Sequence, residues 1–256
     1  MMRRLLLIAI ALAAVLVVLV FLPARLLTAQ IESRVPSIRF DGVSGSIWNG
    51  RVVSLRVSGR DIGALRWRVR PMALLAARLL ADVEVFGTAG TAVRTVSGAV
   101  WLALPDRVGA DAVHAELSAS VLAPLLVGTG LMPDGVLTVQ LDSLSFDGAV
   151  LDAISGSALW RQAVLYGAAR SALGDVEASF ALIDGQVVGG VRDRGGPIAI
   201  DGDFQAGLSG YRFEARLAAE DADARAALAR IGQSEGGTRR LVVAGSWLPG
   251  GLEEVR

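Results

Sequence analysis

From Ser37 onward the chain is a series of short extended runs separated by turn dipeptides, and this punctuation limits the fold more than any other feature. Residues 38–48, 51–58, 64–70, 82–86, 92–104 and 112–118 read as strands in the first half. Residues 136–146, 149–160, 175–183, 186–191, 198–207, 211–218 and 239–247 continue the pattern. Asn49-Gly50, Asp147-Gly148 and Asp184-Gly185 lie between apolar runs, where residues that accept positive φ signal two-residue hairpins. If Gly50 occupied such a turn, Asn would be tolerated there. Arg60-Asp61 and Pro133-Asp134-Gly135 mark further turns. Helical signals are few: 71–80 opened by Pro71, 122–127, and 221–231 with Asp221 as cap and Gly232 as stop. About a dozen short strands joined by tight turns predict a mainly β fold, a large antiparallel sheet with a few short helices. A sheet of that size is expected to curve, or to split into two packed layers.

The strand at 64–70 shows the pattern most clearly. Leu65, Trp67 and Val69 alternate with Arg66, Arg68 and Arg70, a period of two that separates an apolar from a charged side. The charged side is expected to meet solvent or something anionic. A second regularity involves tryptophan. Val43-Ser44-Gly45-Ser46-Ile47-Trp48 returns as Val96-Ser97-Gly98-Ala99-Val100-Trp101, and more loosely as residues 154–160 and 244–247. Four of the five tryptophans thus follow a Gly and a small residue. Such a glycine serves either a strand bend or the close approach of a neighbouring backbone. The looser repeats suggest two related lobes, 38–132 and 133–256.

Residues 5–22 are eighteen consecutive apolar residues, long enough as a helix to cross most of a bilayer core. Arg3 and Arg4 precede them, so residues 1–4 are expected to stay in the cytoplasm and the remainder to be translocated. A cleaved signal peptide is the competing reading. The run exceeds the usual apolar core of about 7–15 residues, and Pro23 and Arg25 stand where cleavage would fall. The expectation is a single-pass inner-membrane protein with a connector at 23–37 and a periplasmic domain at 38–256. Residues 1–80 carry twelve Arg against three acids, a balance of +9, and residues 81–256 a balance of −9. The basic part either lies near an anionic membrane or partner, or is neutralised by the acidic part within one fold.

The residues offer little for catalysis. Cysteine is absent and His114 is the one histidine, so no metal cluster of familiar spacing can be assembled. Ser44, Ser46, Ser97 and Ser155 have no base nearby in sequence, and the absence of lysine excludes a Ser–Lys pair. Asp201-Gly202-Asp203 reads as a turn instead of a calcium loop, and Gly189-Gly190 and Gly195-Gly196 lack a phosphate-loop context. The expectation is a protein that is not an enzyme and takes no cofactor or metal. The Arg-rich span 51–70 alternates like a strand and carries no nucleic-acid reader motif.

Gly45, Trp48 and Gly50 stand in the order Gly-x-x-Trp-x-Gly after the apolar run. Trp67 and Pro71 then lead into a stretch with Leu74, Leu75, Leu79 and Leu80. In these features, in Gly195-Gly196-Pro197 before a strand, and in the Ala-rich segment ending at Gly232, the chain resembles the type II secretion system protein N family. The resemblance implies a periplasmic β domain on an inner-membrane anchor. It also implies accessory work by protein–protein contact with other secretion components during export of folded proteins. More distantly, the Gly/Trp element resembles AsmA-like and bridge-like lipid-transfer proteins, which implies a curved sheet carrying lipid on an apolar side. A closed core would favour docking; an open apolar groove of several hundred Å² would favour lipid.

Overall fold

A computed structural model describes residues 22–246, apart from 89, 127–129, 168–169, 208, 220–224, 226–227 and 229–232. The apolar run 5–22, except Leu22, lies outside the described residues, as do Trp247 and most of the helix expected at 221–231. Among the described residues no helix is long and apolar enough to cross a membrane.

The strands form one antiparallel sheet. It begins with β1 (Ile38–Asp41), β2 (Ser44–Gly45), β3 (Asn49–Val57), β4 (Arg60–Val69), β5 (Arg78–Phe86), β6 (Val93–Ala103) and β7 (Arg107–Ser118). It continues through β8 (Met132–Asp147), β9 (Val150–Tyr166), β10 (Arg170–Ile183), β11 (Gln186–Asp193), β12 (Ile198–Gly207) and β13 (Gly210–Ala219), and closes with β14 (Gln233–Glu235) and β15 (Thr238–Ser246). From β3 to β13 every strand pairs with its neighbour in sequence, so the sheet is an open meander. It does not split into two layers. β1 and β2 both pair with β3 at one edge, and β14 lies outside β15 at the other. Both edges end in strands of two to four residues, which leaves little free ladder for unwanted pairing.

Strand alternation sorts the side chains completely in the middle of the sheet. One cross-strand row runs Leu65, Val85, Val96, Ala115, Val139, Ala158, Ala178, Val191, Gly202, Ala215, Leu241. The adjacent row runs Arg66, Glu84, Ser97, His114, Gln140, Ser157, Ser179, Gly190, Asp203, Glu214. The two rows point to opposite sides because side chains alternate along each strand. The arginines of β4 meet acids of their own sheet: Arg66 stands opposite Glu84, and Arg68 opposite Asp82. Arg70 closes the strand with two hydrogen bonds to Asp82, at 2.9 and 2.6 Å. That guanidinium is the main cause holding the Asp82 carboxyl below its ordinary pKa, with partial burial opposing.

The apolar face is covered at its two ends. Helix α1 (Ala24–Arg34) lies over the first strands, where Ala24, Val52 and Trp67 are buried among Phe40, Val43, Leu65, Val69 and Val83. At the far end Ile198, Ile200, Val176, Ala215 and Leu217 form the larger cluster, with Leu228, Leu126 and Leu131 packed on it. The 3₁₀ segment Ala119–Leu126 reaches across to that end, since the Tyr211 hydroxyl of β13 donates to the Leu125 carbonyl at 3.1 Å. Between the two covers the face is open. Leu79 pairs with Leu102 and Leu102 with Val108, and these three, with Val100, keep 38–44% of their surface exposed. Among the described residues sixteen hydrophobic side chains are buried, while nineteen large ones are exposed. A closed domain of this size would bury far more.

Several local expectations need correction. The first run, 38–48, is not one strand, because a break at Gly42 and Val43 separates β1 from β2. Asn49 and Gly50 are not a hairpin turn but the first residues of β3, with Gly50 paired to Gly45 and to Trp67. The β3–β4 turn falls on Ser58-Gly59, both at positive φ, instead of Arg60-Asp61. Gly135, at φ +118°, is a bulge residue inside β8 and not part of a turn. The helix expected at 71–80 stops after Pro71–Ala76, since Ala77 is left-handed and β5 takes up Leu79 and Leu80. The connector 23–37 contains α1. Asp201-Gly202-Asp203 is neither turn nor calcium loop; it lies within β12, with Arg192 3.5 Å from Asp201. The turn at Asp184-Gly185 is as expected, with both residues near φ +50° to +75° between Ile183 and Gln186.

The β11–β12 connection is held by one carboxylate. Asp193 accepts hydrogen bonds from the backbone of Ile200 at 2.7 Å and of Gly195 at 3.1 Å. The Ile200 bond is the largest cause lowering the Asp193 pKa, and desolvation works against it. A depressed folded-state pKa stabilises above the unfolded value of about 3.9 and is lost as pH falls through the lower folded value. Asp193→Ala is therefore expected to lower Tm at pH 5–7, with the gap to the parent narrowing in more acid buffer. A gap independent of pH would refute this role.

Candidate functional site

The residues singled out by the Gly/Trp element sit where the chain enters the sheet. Gly45 ends β2 with φ +91°, a conformation that disfavours any side chain, and a Cβ there would run into the Asn49 carbonyl. The corner after it is closed by Ser46, whose amide donates to the Asn49 carbonyl at 2.9 Å and whose hydroxyl accepts from the Asn49 amide at 3.2 Å. Ser44 accepts from the Arg51 Nε at 3.0 Å. These serines are thus spent on local structure, and no base lies beside either in these contacts. Ile47 uses both of its backbone groups. Its amide donates to the Leu22 carbonyl at 2.9 Å, and its carbonyl accepts from the Trp67 indole Nε1 at 3.0 Å.

Trp67 is the centre of the arrangement. Its ring lies on Gly50, the residue opposite it on β3, so that a Cβ on Gly50 would overlap the six-membered ring. It is buried in one cluster with Ala24 of α1 and Val52. Trp48 contributes through its carbonyl, which accepts from the Val69 amide at 2.7 Å. Gly45, Trp48, Gly50 and Trp67 therefore share one corner. Pro71 stands apart, opening the 3₁₀ turn that leaves the end of β4. The corner holds Leu22, the last residue of the apolar run, and Ala24, two residues after it.

Sequence reading did not find Ala24, Ile47 or Glu32. Glu32 turns back from α1 to accept the Phe40 amide at 2.7 Å. Only the Gly-Trp spacing signals this corner, and of the two uses it allows for its glycine, the close approach of a neighbouring backbone is seen at Gly45, where a Cβ would meet the Asn49 carbonyl. Aromatic rings also cover glycines of neighbouring strands. Trp101 lies on Gly109, Phe204 on Gly189 and Tyr211 on Gly245, in the same manner as Trp67 on Gly50. An aromatic ring over a cross-strand glycine restores the apolar area that the glycine lacks.

The polar face carries charge but no reactive assembly in the described residues. No group of three or more His, Cys, Asp or Glu is placed to hold a metal ion there. The exposed His114 faces the Ala112 carbonyl at 3.2 Å. Ser155 pairs with Ser143 at 3.0 Å. Around Trp101 a cation–π stack forms with Arg78, whose guanidinium carbon is 4.0 Å from the ring centre and which also pairs with Asp111.

Comparison with known proteins decides the family. The family model for type II secretion system (T2SS), protein N, matches residues 36–242, from β1 into β15. The chain belongs to that family. It is also similar to the type II secretion system protein N of Vibrio cholerae serotype O1, with 26% identity over 148 residues. That match covers 58% of this chain and 58% of the relative, so the chain spans little more than half the relative's length in the match. No solved structure matches the chain.

The correction at Gly50 reverses the expected effect of a substitution. Gly50→Asn places side-chain atoms where the Trp67 ring lies and is expected to cost about 1–3 kcal/mol, the usual range for overpacking. Thermal unfolding measures it. A Tm equal to that of the parent would mean that the ring and the glycine do not depend on one another.

Proposed function

We propose that the chain is an accessory component of the type II secretion system that works from the inner membrane by binding other secretion components in the periplasm. The match over residues 36–242 carries the reading. The eighteen apolar residues at 5–22 after Arg3 and Arg4 support a single-pass anchor, with residues 1–4 cytoplasmic and 38–256 periplasmic. In this reading Gly45, Trp48, Gly50 and Trp67 form the joint between anchor and domain, and Pro71 opens the turn beside it. The lobes 38–132 and 133–256 are two rounds of one strand pattern within a continuous sheet. No catalytic step is assigned. Deleting the gene and measuring export is the direct test. The expected result is reduced secretion of at least one folded substrate and co-purification with other secretion components. Normal export of every substrate, with no such partner retained, would refute it.

One observation favours a second reading, lipid binding on the sheet. The apolar face is open between its two covers, where Leu79, Val100, Leu102 and Val108 are exposed. Soluble domains rarely leave a contiguous apolar surface of several hundred Å² without a use. The test is mass spectrometry of detergent-free protein starting at residue 23, which keeps α1 and its buried Ala24. Lipid above the level of a control protein is expected if the face carries acyl chains. Absence of bound lipid would remove this reading and leave the first intact.

A further inference from the structure

The rim of the sheet on which the anchor segment ends carries an apolar surface of its own. The 3₁₀ turn Pro71–Ala76 buries none of its side chains. Met72 and Leu75 are 76% and 86% exposed, and residues 71–77 are uncharged between Arg70 and Arg78. Two strands further on, Leu104 in the β6–β7 turn is 78% exposed. Leu79 and its partner Leu102 join these two points to the open part of the apolar face.

The position of this patch relative to the chain's start gives it a partner. Asn49 pairs with Arg68, and Val69 donates to the Trp48 carbonyl, so the entry corner lies beside the end of β4. The 71–76 turn leaves from that same end. Leu22, the last residue of the apolar run, is bonded into the corner through Ile47. Neighbouring strands are about 4.8 Å apart, so Leu22, the turn and Leu104 lie within about 20–25 Å across the sheet. On the opposite rim, β8 begins at Met132.

We propose that this rim is a membrane-contact surface: Met72, Leu74, Leu75 and Leu104 dip into the bilayer interface beside the point where the chain leaves the membrane. An apolar tip between two arginine–aspartate pairs suits that depth, with Leu and Met among the acyl chains and the Arg70–Asp82 and Arg78–Asp111 pairs at headgroup level. Arg70 and Arg78 stand at the two ends of the uncharged stretch. The contact fixes the orientation of the sheet, with the strands rising from the membrane and the open apolar face starting at its surface. The inference rests on the reading of residues 5–22 as an anchor.

The absence of cysteine makes the test direct. The full chain is reconstituted into phosphatidylethanolamine–phosphatidylglycerol vesicles, floated on a gradient, and probed with a nitroxide on single-cysteine variants Met72→Cys, Leu75→Cys, Leu104→Cys and Met132→Cys. All four positions are well exposed, so the labels leave the core untouched. The expected result is that the nitroxides at 72, 75 and 104 collide more with molecular oxygen than with a water-soluble nickel chelate. The one at 132 is expected to show the reverse. If the protein floats with the vesicles and all four labels favour the chelate, the rim contact is overturned while the anchor stands. If the protein does not float, the anchor reading fails and the rim contact fails with it.

Discussion

One face of the sheet is apolar from β3 to β15, and a single-layer sheet has no second layer to cover it. Everything else in the structure can be read as an answer to that constraint. A β-sandwich buries such a face against another sheet. Here the cover consists of helical pieces: α1 before β1, lying over β3 and β4, and the 119–126 segment between β7 and β8, which with Leu228 lies over β9 to β13. The backbone ladder, continuous from β1 to β14, supplies the rest of the cohesion. Cross-strand contacts add to it, including the opposite charges between β4 and β5 and the rings laid over glycines. The middle strands have neither cover nor plug, which is why Leu79, Leu102 and Val108 remain part-exposed within an otherwise regular apolar row.

The strands were legible because their side chains follow a period of two, and because Asp184-Gly185 occupies a tight turn; at Asp147-Gly148 the turn falls one residue later, on Gly148-Ala149, since Asp147 pairs with Val150. The opposite error at Asn49-Gly50 has a physical origin. Gly50 is small because the Trp67 ring occupies the space of its side chain, and that partner is seventeen residues away on another strand. Local sequence cannot distinguish a glycine needed for its φ from one needed for a neighbour's ring. Gly135 shows a third case, where positive φ serves a bulge and the strand continues through it. Helix α1 was missed for a related reason. It buries only Ala24 and Thr28, so the segment lacks the apolar stripe by which an amphipathic helix is recognised.

The entry corner was located by its motif but not explained by it. Its glycines, serines and tryptophans gave no hint of chemistry, and the contacts show each of them occupied with geometry. The positive φ of Gly45, the Ser46 hydroxyl on Asn49 and the indole on the Ile47 carbonyl all stiffen the same few residues. Such stiffness costs conformational freedom that a loop tip would normally keep. A joint of this kind is worth that cost when the segment before it must hold a fixed direction relative to the domain.

That requirement links the corner to the charge pattern. The basic first part of the chain is partly neutralised within the fold, since Arg70 meets Asp82 and Arg78 meets Asp111 across the boundary between the basic and acidic parts. The other described ion pairs join groups within one part or the other, so the imbalance is reduced and not cancelled. The excess of arginine stays in the first part of the chain, on α1 and on β3 and β4. A stiff joint and an uncharged apolar turn on one rim act in the same direction. Together they would hold the sheet upright at the membrane, where a freely tethered domain would present its open face at random.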